Sequence, residues 1–219
     1  MRGCVGGGGV TDPRLALKWA ASVIPDSANR EKDDFYPTPP EGTAALLSAV
    51  TFEGNIWEPA CGDGAISKVL RTAGYEVIST DLVNRGFGTP RVDFLMEHGF
   101  VADNIVTNPP FKLAEQFAEH ALKHARRKVC LLARLAWLEG ESRRKMFEST
   151  PLSRVLVFSR RLNMSRAHSP ASEMGGLIAF AWFVWEHGHV GPPTLGWLQH
   201  PGPRRHRSRP AVSSPARLL

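Results

Sequence analysis

Apolar residues recur along the chain with two alternating periods, one of helices and one of strands. Thr38-Pro39-Pro40-Glu41 reads as a helix start, with Thr38 as N-cap, Pro39 in the first helical position and Glu41 three residues after the cap. The pattern carries that helix to about Val50. Residues 55–60 (NIWEPA) then read as a strand, followed by a glycine turn and a helix bearing Ile66, Val69, Leu70 and Ala73 that stops at Gly74. Residues 76–80 (EVIST) form a second strand ending at Asp81, residues 91–95 (RVDFL) a third and residues 104–107 (NIVT) a fourth. A helix with Leu113, Phe117, Ala121 and Leu122 on one face leads to a buried strand at 128–136 (KVCLLARLA). A helix around 139–149 and strands at 154–158 and 177–185 complete the series, the last two able to pair antiparallel.

Strands separated by helices imply βαβ crossovers, hence an α/β fold with a mostly parallel sheet. Residues 35–200 carry the pattern. Residues 1–34 read as a flexible leader with a glycine run at 6–9 and one short amphipathic stretch (Leu15, Trp19, Val23). Residues 201–219 are rich in Pro, Arg and Ser and read as a disordered basic tail.

Two segments carry candidate chemistry. Glu58-Pro59-Ala60-Cys61-Gly62-Asp63-Gly64 lies between a strand and a helix, where Gly62 and Gly64 permit a tight turn and close approach to a ligand. Asp81 ends the next strand, where an acid can accept from both ribose hydroxyls of a nucleoside cofactor. A dinucleotide loop would need a third glycine at 67, which is Ser67, and the Gly-Lys-Ser/Thr of a phosphate loop is absent. Acids at 58, 63 and 81 instead suit a cationic cofactor. A purely structural turn is the alternative.

The second segment, Asn108-Pro109-Pro110-Phe111, directly follows the fourth strand. Two prolines stiffen the backbone and fix two acceptors, the Asn108 side-chain oxygen and the Pro109 carbonyl. Both can accept from one NH2 group, while Phe111 offers a flat face for stacking. An exocyclic amine is a poor nucleophile because its lone pair is delocalised into the ring. Two acceptors drawing on its hydrogens would free that lone pair for direct attack on a sulfonium methyl. The plain alternative is a proline-rich loop that starts the following helix.

Taken together, these residues resemble the Rossmann-like methyltransferases that use S-adenosyl-L-methionine, and among them the amino-methylating DNA enzymes of phages and bacteria. The resemblance rests on Phe35-Tyr36-Pro37-Thr38-Pro39, the Glu58 to Gly64 loop, Asp81 and Asn108 to Phe111, in the gamma order with the cofactor loop first. It covers residues 33–136, and more loosely the sheet up to 198. It implies a seven-stranded sheet with one antiparallel strand near the edge and helices on both faces. It implies Tyr36, Thr38, Glu58, Ala60, Gly62 and Asp81 around the cofactor, Asp93 and Phe94 near the cofactor adenine, and Asn108, Pro109, Pro110 and Phe111 at the target amine. The implied reaction is methylation of the adenine N6 amine in a base flipped from DNA. The loop begins with Asn and ends with Phe, where many adenine enzymes have Asp and Tyr. Enzymes acting on glutamine amides of proteins or guanine N2 of ribosomal RNA share that form, so these, and a non-catalytic DNA-binding relative, stay open as alternatives.

Composition narrows the picture further. The chain has 219 residues, 42% hydrophobic and 22% charged, which suits one globular domain with short tails. The longest apolar run, residues 177–185, is too short to span a bilayer, and the N-terminus has no secretory pattern. Cys4, Cys61 and Cys130 are scattered, which argues against disulfides and a zinc site and for a reducing, cytoplasmic compartment. Net charge is +6, and five arginines in 201–219 leave only +1 for residues 1–200. That tail suits a polyanion such as DNA or is simply a solvated end. Residues 160–176, with Arg143, Arg144 and Lys145, form the candidate DNA surface, and the shortness of the chain after Phe111 implies a short or relaxed recognition sequence.

Overall fold

The computed structural model describes residues 35–164 and 178–199. The leader at 1–34, the tail at 201–219 and most of the 160–176 stretch therefore lie outside the described residues. The elements are α1 (Pro40–Ala49), β1 (Ile56–Glu58), α2 (Ala65–Thr72), β2 (Val77–Asp81), β3 (Thr89–Pro90), β4 (Ala102–Thr107), α3 (Ala114–His124), β5 (Ala125–Arg134), α4 (Glu141–Ser149), β6 (Leu152–Phe158), β7 (Phe180–Glu186) and β8 (Thr194–Leu198), with short 3-10 turns at Phe94–Met96, Phe111–Leu113 and Leu135–Leu138.

The strands form one sheet in the order β3-β2-β1-β4-β5-β7-β6-β8. All neighbours are parallel except β7, which runs antiparallel to both β5 and β6. Strand alternation explains how the sheet carries helices on both faces. On one face Ile56, Val106, Cys130, Leu132, Trp182 and Val184 pack against Leu46 of α1 and Ile66 and Leu70 of α2. On the other, Trp57, Ile105, Val129, Leu131, Phe183 and Trp185 meet Phe117, Ala118 and Ala121 of α3 and Met146 of α4. The buried indole N–H groups find partners: Trp57 donates to Thr80 Oγ1 at 2.9 Å and Trp182 to the Gly42 carbonyl at 2.9 Å.

Three expectations change. The sheet has eight strands rather than seven, because Thr194–Leu198 adds a parallel edge strand beside β6. The third strand is only Thr89–Pro90, and residues 91–95 instead turn: Asp93 Oδ1 accepts from Leu95 N at 3.1 Å and caps the 3-10 turn that follows. Thr38 is not the N-cap of α1. The helix begins at Pro40, Pro39 occupies the cap position, and Thr38 is buried with its hydroxyl outside any hydrogen bond among the described residues.

The strand order dictates where a ligand can sit. From β1 the chain steps outward to β2 and β3, then returns to place β4 on the other side of β1. The β1–β4 junction is thus a topological switch point, where loops leaving the carboxyl ends diverge and open a crevice. The loop after β1 holds Gly62 and Gly64, and the loop after β4 holds Asn108 to Phe111.

Candidate active site

The turn after β1 is held by its acids. Gly62 and Gly64 sit at φ +55° and +81°, where a side chain would be strained. A Cβ on Gly62 would also run into the Phe35 ring. Asp81 accepts from Gly62 N at 2.8 Å and from Val83 N at 2.7 Å, tying the turn to the end of β2. Glu58 is buried and accepts from both the amide of Ser67, at 2.8 Å, and its hydroxyl. It thereby satisfies one of the free amides at the start of α2, as Asp63 does for Ala65 N at 3.2 Å.

Burial pushes the Glu58 carboxyl up to about 8, helped by the nearby charges of Asp63 and Asp81 and opposed by the Ser67 hydrogen bonds. At neutral pH Glu58 is therefore mostly protonated. Cys61 is buried in the same turn. Desolvation, then the Glu58 and Asp81 charges, raise its thiol to about 12, so it holds no thiolate at neutral pH.

The second loop is rigid and polar in one place. Asn108 Nδ2 donates to the Tyr36 carbonyl at 3.0 Å. Only the NH2 side of an amide can face a carbonyl, so this bond fixes which way the side chain is turned. Its other atom, Oδ1, is buried and accepts from nothing among the described residues. No backbone N–H of the described residues donates to the Pro109 carbonyl, whereas the Pro110 carbonyl accepts from Leu113 N at 2.8 Å and starts the 3-10 turn. Phe111 stacks on Tyr36, with ring centroids 5.5 Å apart and planes 23° apart, and touches Phe180 at 5.7 Å. The Arg134 guanidinium lies over the same Phe111 ring, 4.4 Å from its centroid.

The segment before α1 joins the two loops. Phe35 lies against Gly62, while the next residue, Tyr36, holds both Asn108 and Phe111. The glycine turn and the Asn-Pro-Pro-Phe loop, which leave neighbouring strands at the switch point, are thus bridged by two consecutive residues.

These contacts join Phe35, Tyr36, Gly62, Asp81, Asn108 and Phe111, whereas Glu58 is buried against Ser67 and Thr38 is buried beside Gly42. Ala60 packs toward the core on the Trp57 face. Asp93 is exposed, and Phe94 is a core residue, 2% exposed, packed edge-on against Trp57 at 5.1 Å. On α4, Arg144 pairs with Glu141 and Glu148, and Arg143 donates to the Glu139 carbonyl. Sequence reading missed Arg134; its signal was a charge directly after the buried apolar stretch at 129–133.

No protein-family profile matches the chain, and no curated protein is similar to it in sequence. Solved structures do match. A Listeria monocytogenes protein assigned to the class I S-adenosylmethionine-dependent methyltransferases aligns with a TM-score of 0.53 at 13% identity, over 85% of this chain and 71% of that one. The fold is that of the class I methyltransferases. A Pyrococcus horikoshii protein assigned as an RNA methyltransferase aligns with a TM-score of 0.53 at 16% identity, over 79% of this chain and 97% of that one. The M protein of the type I restriction enzyme EcoKI aligns with a TM-score of 0.51 at 15% identity, over 80% of this chain but only 50% of its own. Likeness at these identities establishes the shared methyltransferase fold and leaves the substrate to the site itself.

Proposed function

We propose that this chain is an S-adenosylmethionine-dependent methyltransferase that modifies the N6 amine of adenine in DNA. One observation carries the amine chemistry: Asn108 is turned so that its NH2 is used internally and its carbonyl oxygen stands buried without a donor among the described residues. A buried acceptor left unmade costs about 1–3 kcal/mol, and an incoming N–H removes that cost. Held at the mouth of a Pro-Pro elbow, it would draw a hydrogen from the target amine, with the Pro109 carbonyl as second acceptor.

The crevice fits the cofactor. Its turn is glycine-lined and without a pyrophosphate-binding pattern, Asp63 and Asp81 supply negative charge near a cation, and the buried Thr38 hydroxyl lacks a partner that a polar ligand would provide. When bound, S-adenosylmethionine would supply an electrophilic methyl group: the N–C bond would form as the S–C bond breaks, S-adenosylhomocysteine would leave, and the amine would give up one proton to solvent, with no covalent enzyme intermediate. Gly62, Asp81 and Thr38 would hold it, and Glu58 would keep the turn and the first turn of α2 in register. Phe111 is held by Tyr36 and by the Arg134 guanidinium over its ring, and so stiffens the loop that would present Asn108 and the Pro109 carbonyl to the amine of a flipped base, whose extrusion takes a few kcal/mol.

The fold shared with an RNA methyltransferase and with a restriction-enzyme M protein makes the acceptor the quantity to test. Purified protein is incubated with methyl-labelled cofactor and, separately, plasmid DNA, ribosomal RNA and host protein. Label recovered as N6-methyladenine after DNA digestion is the expected result. Label confined to RNA or protein would refute the DNA assignment, and no label in any of the three would refute the enzyme assignment.

A further inference from the structure

Arg134 is the last residue of β5, whose final three residues run past Leu131, the partner of the last residue of β4. It stands beside the loop that begins at Asn108 and is paired across β7 with Phe180. The exposed basic residues Arg127 and Arg144 meet carboxylates within 4 Å. For the Arg134 side chain the described residues provide no hydrogen bond or ion pair, and its guanidinium lies over the Phe111 ring at 4.4 Å. Its Nε–H is buried and donates to nothing among them. A ring face attracts the charge but is a poor acceptor for the N–H groups, which lie in the guanidinium plane. The arginine is thus anchored by its ring contact while part of its donor fork is unused.

Building on the DNA-amine reading above, we propose that Arg134 binds a backbone phosphate next to the target adenine and so selects a nucleotide over a free amide. A nucleotide offers a flat ring, an NH2 and an anion within one residue. The site offers two of the three: Asn108 Oδ1 for the amine and Arg134 for the phosphate, linked through Phe111, whose ring Arg134 covers. A glutamine side chain presents the NH2 alone and would leave Arg134 idle. The planar fork of arginine also suits two phosphate oxygens at once, which a lysine cannot reproduce.

The test crosses two changes. R134A and wild type are each given a natural duplex with a mapped target adenine and the same duplex with uncharged methylphosphonate linkages flanking that adenine. For wild type, kcat/KM is expected to fall about tenfold on the neutral linkages, roughly the loss of one charge-assisted hydrogen bond. R134A is expected to start about tenfold lower on the natural duplex and to lose little more on the neutral one. In duplex binding followed by fluorescence anisotropy, R134A should lower the log–log salt slope by about 1. Cofactor affinity and thermal midpoint report whether the variant is folded, and R134Q, which keeps the stem, carries the same outcomes should R134A fail to fold. Equal further losses in both proteins on the neutral duplex, or a variant identical to wild type, would overturn the role of Arg134 alone. Wild type that labels no DNA would overturn the DNA reading beneath it.

Discussion

Replacing Glu58 with glutamine isolates one buried ionisation and its effect on folding. The carboxyl is 1% exposed, and burial pushes it from the ordinary 4.5 up to about 8. Between those limits the unfolded chain has released a proton that the folded chain keeps. Stability therefore falls as pH rises, and the loss levels off above about 8, once both forms are ionised. Each pH unit in that window corresponds to about 1.4 kcal/mol, so the wild type should lose about 3 kcal/mol through this group between pH 5.5 and 9. The glutamine side chain retains a carbonyl oxygen for the Ser67 amide but cannot ionise, so this contribution vanishes. The assay is urea unfolding of both proteins at both pH values, reading the difference between them so that every other titrating group cancels. The E58Q variant should gain about 3 kcal/mol on wild type between the two conditions. Parallel pH curves would refute the reasoning, showing that the two Ser67 hydrogen bonds hold Glu58 ionised in the fold.

Gly62→Ala places a Cβ at φ +55° against the Phe35 ring, costing about 1–2 kcal/mol in backbone strain alone. The protein should still fold, but S-adenosylhomocysteine affinity measured by calorimetry should drop at least tenfold; unchanged affinity would separate the turn from the cofactor. Cys61 and Cys130 are buried, with thiols raised to about 12, so native protein at pH 8 should resist iodoacetamide at both while urea-unfolded protein reacts at both. Mass spectrometry that finds Cys61 labelled rapidly in the native state would contradict its assignment as a structural thiol.

The parts legible in the sequence are those set by local chemistry. Short apolar runs bounded by turn residues located β1, β2, β4, β5, β6 and β7, and the order of helices and strands implied the parallel sheet. The Gly62–Gly64 turn and the Pro109-Pro110 elbow were visible because Gly and Pro restrict the backbone at their own positions. What escaped was decided by distant partners. β8 carries Gly196 at its centre and leaves Leu195 and Trp197 exposed at the sheet edge, so nothing local separates it from a loop. β3 is two residues long and exists only through its pairing with Thr80 and Asp81. Thr38 has every local mark of an N-cap, yet Pro39 takes the cap position and the threonine is buried beneath it. The hold of Tyr36 on Asn108 spans 72 residues of sequence, and Arg134 meets Phe111 through sheet order. The motifs therefore marked the two loops, while the bridge between them needed the fold.

In the proposed reaction the buried oxygen of Asn108 draws on the target amine, and Asn108→Ala removes it without touching the glycine turn. Initial rates of label transfer to DNA and calorimetric affinity for S-adenosylhomocysteine should be measured on the same preparation. Transfer should fall by at least about a hundredfold, the order of effect for losing a positioned polar group at a reacting centre, with cofactor affinity within about threefold of wild type. Transfer near the wild-type rate would contradict the account, because the amine would then be activated by something other than this loop.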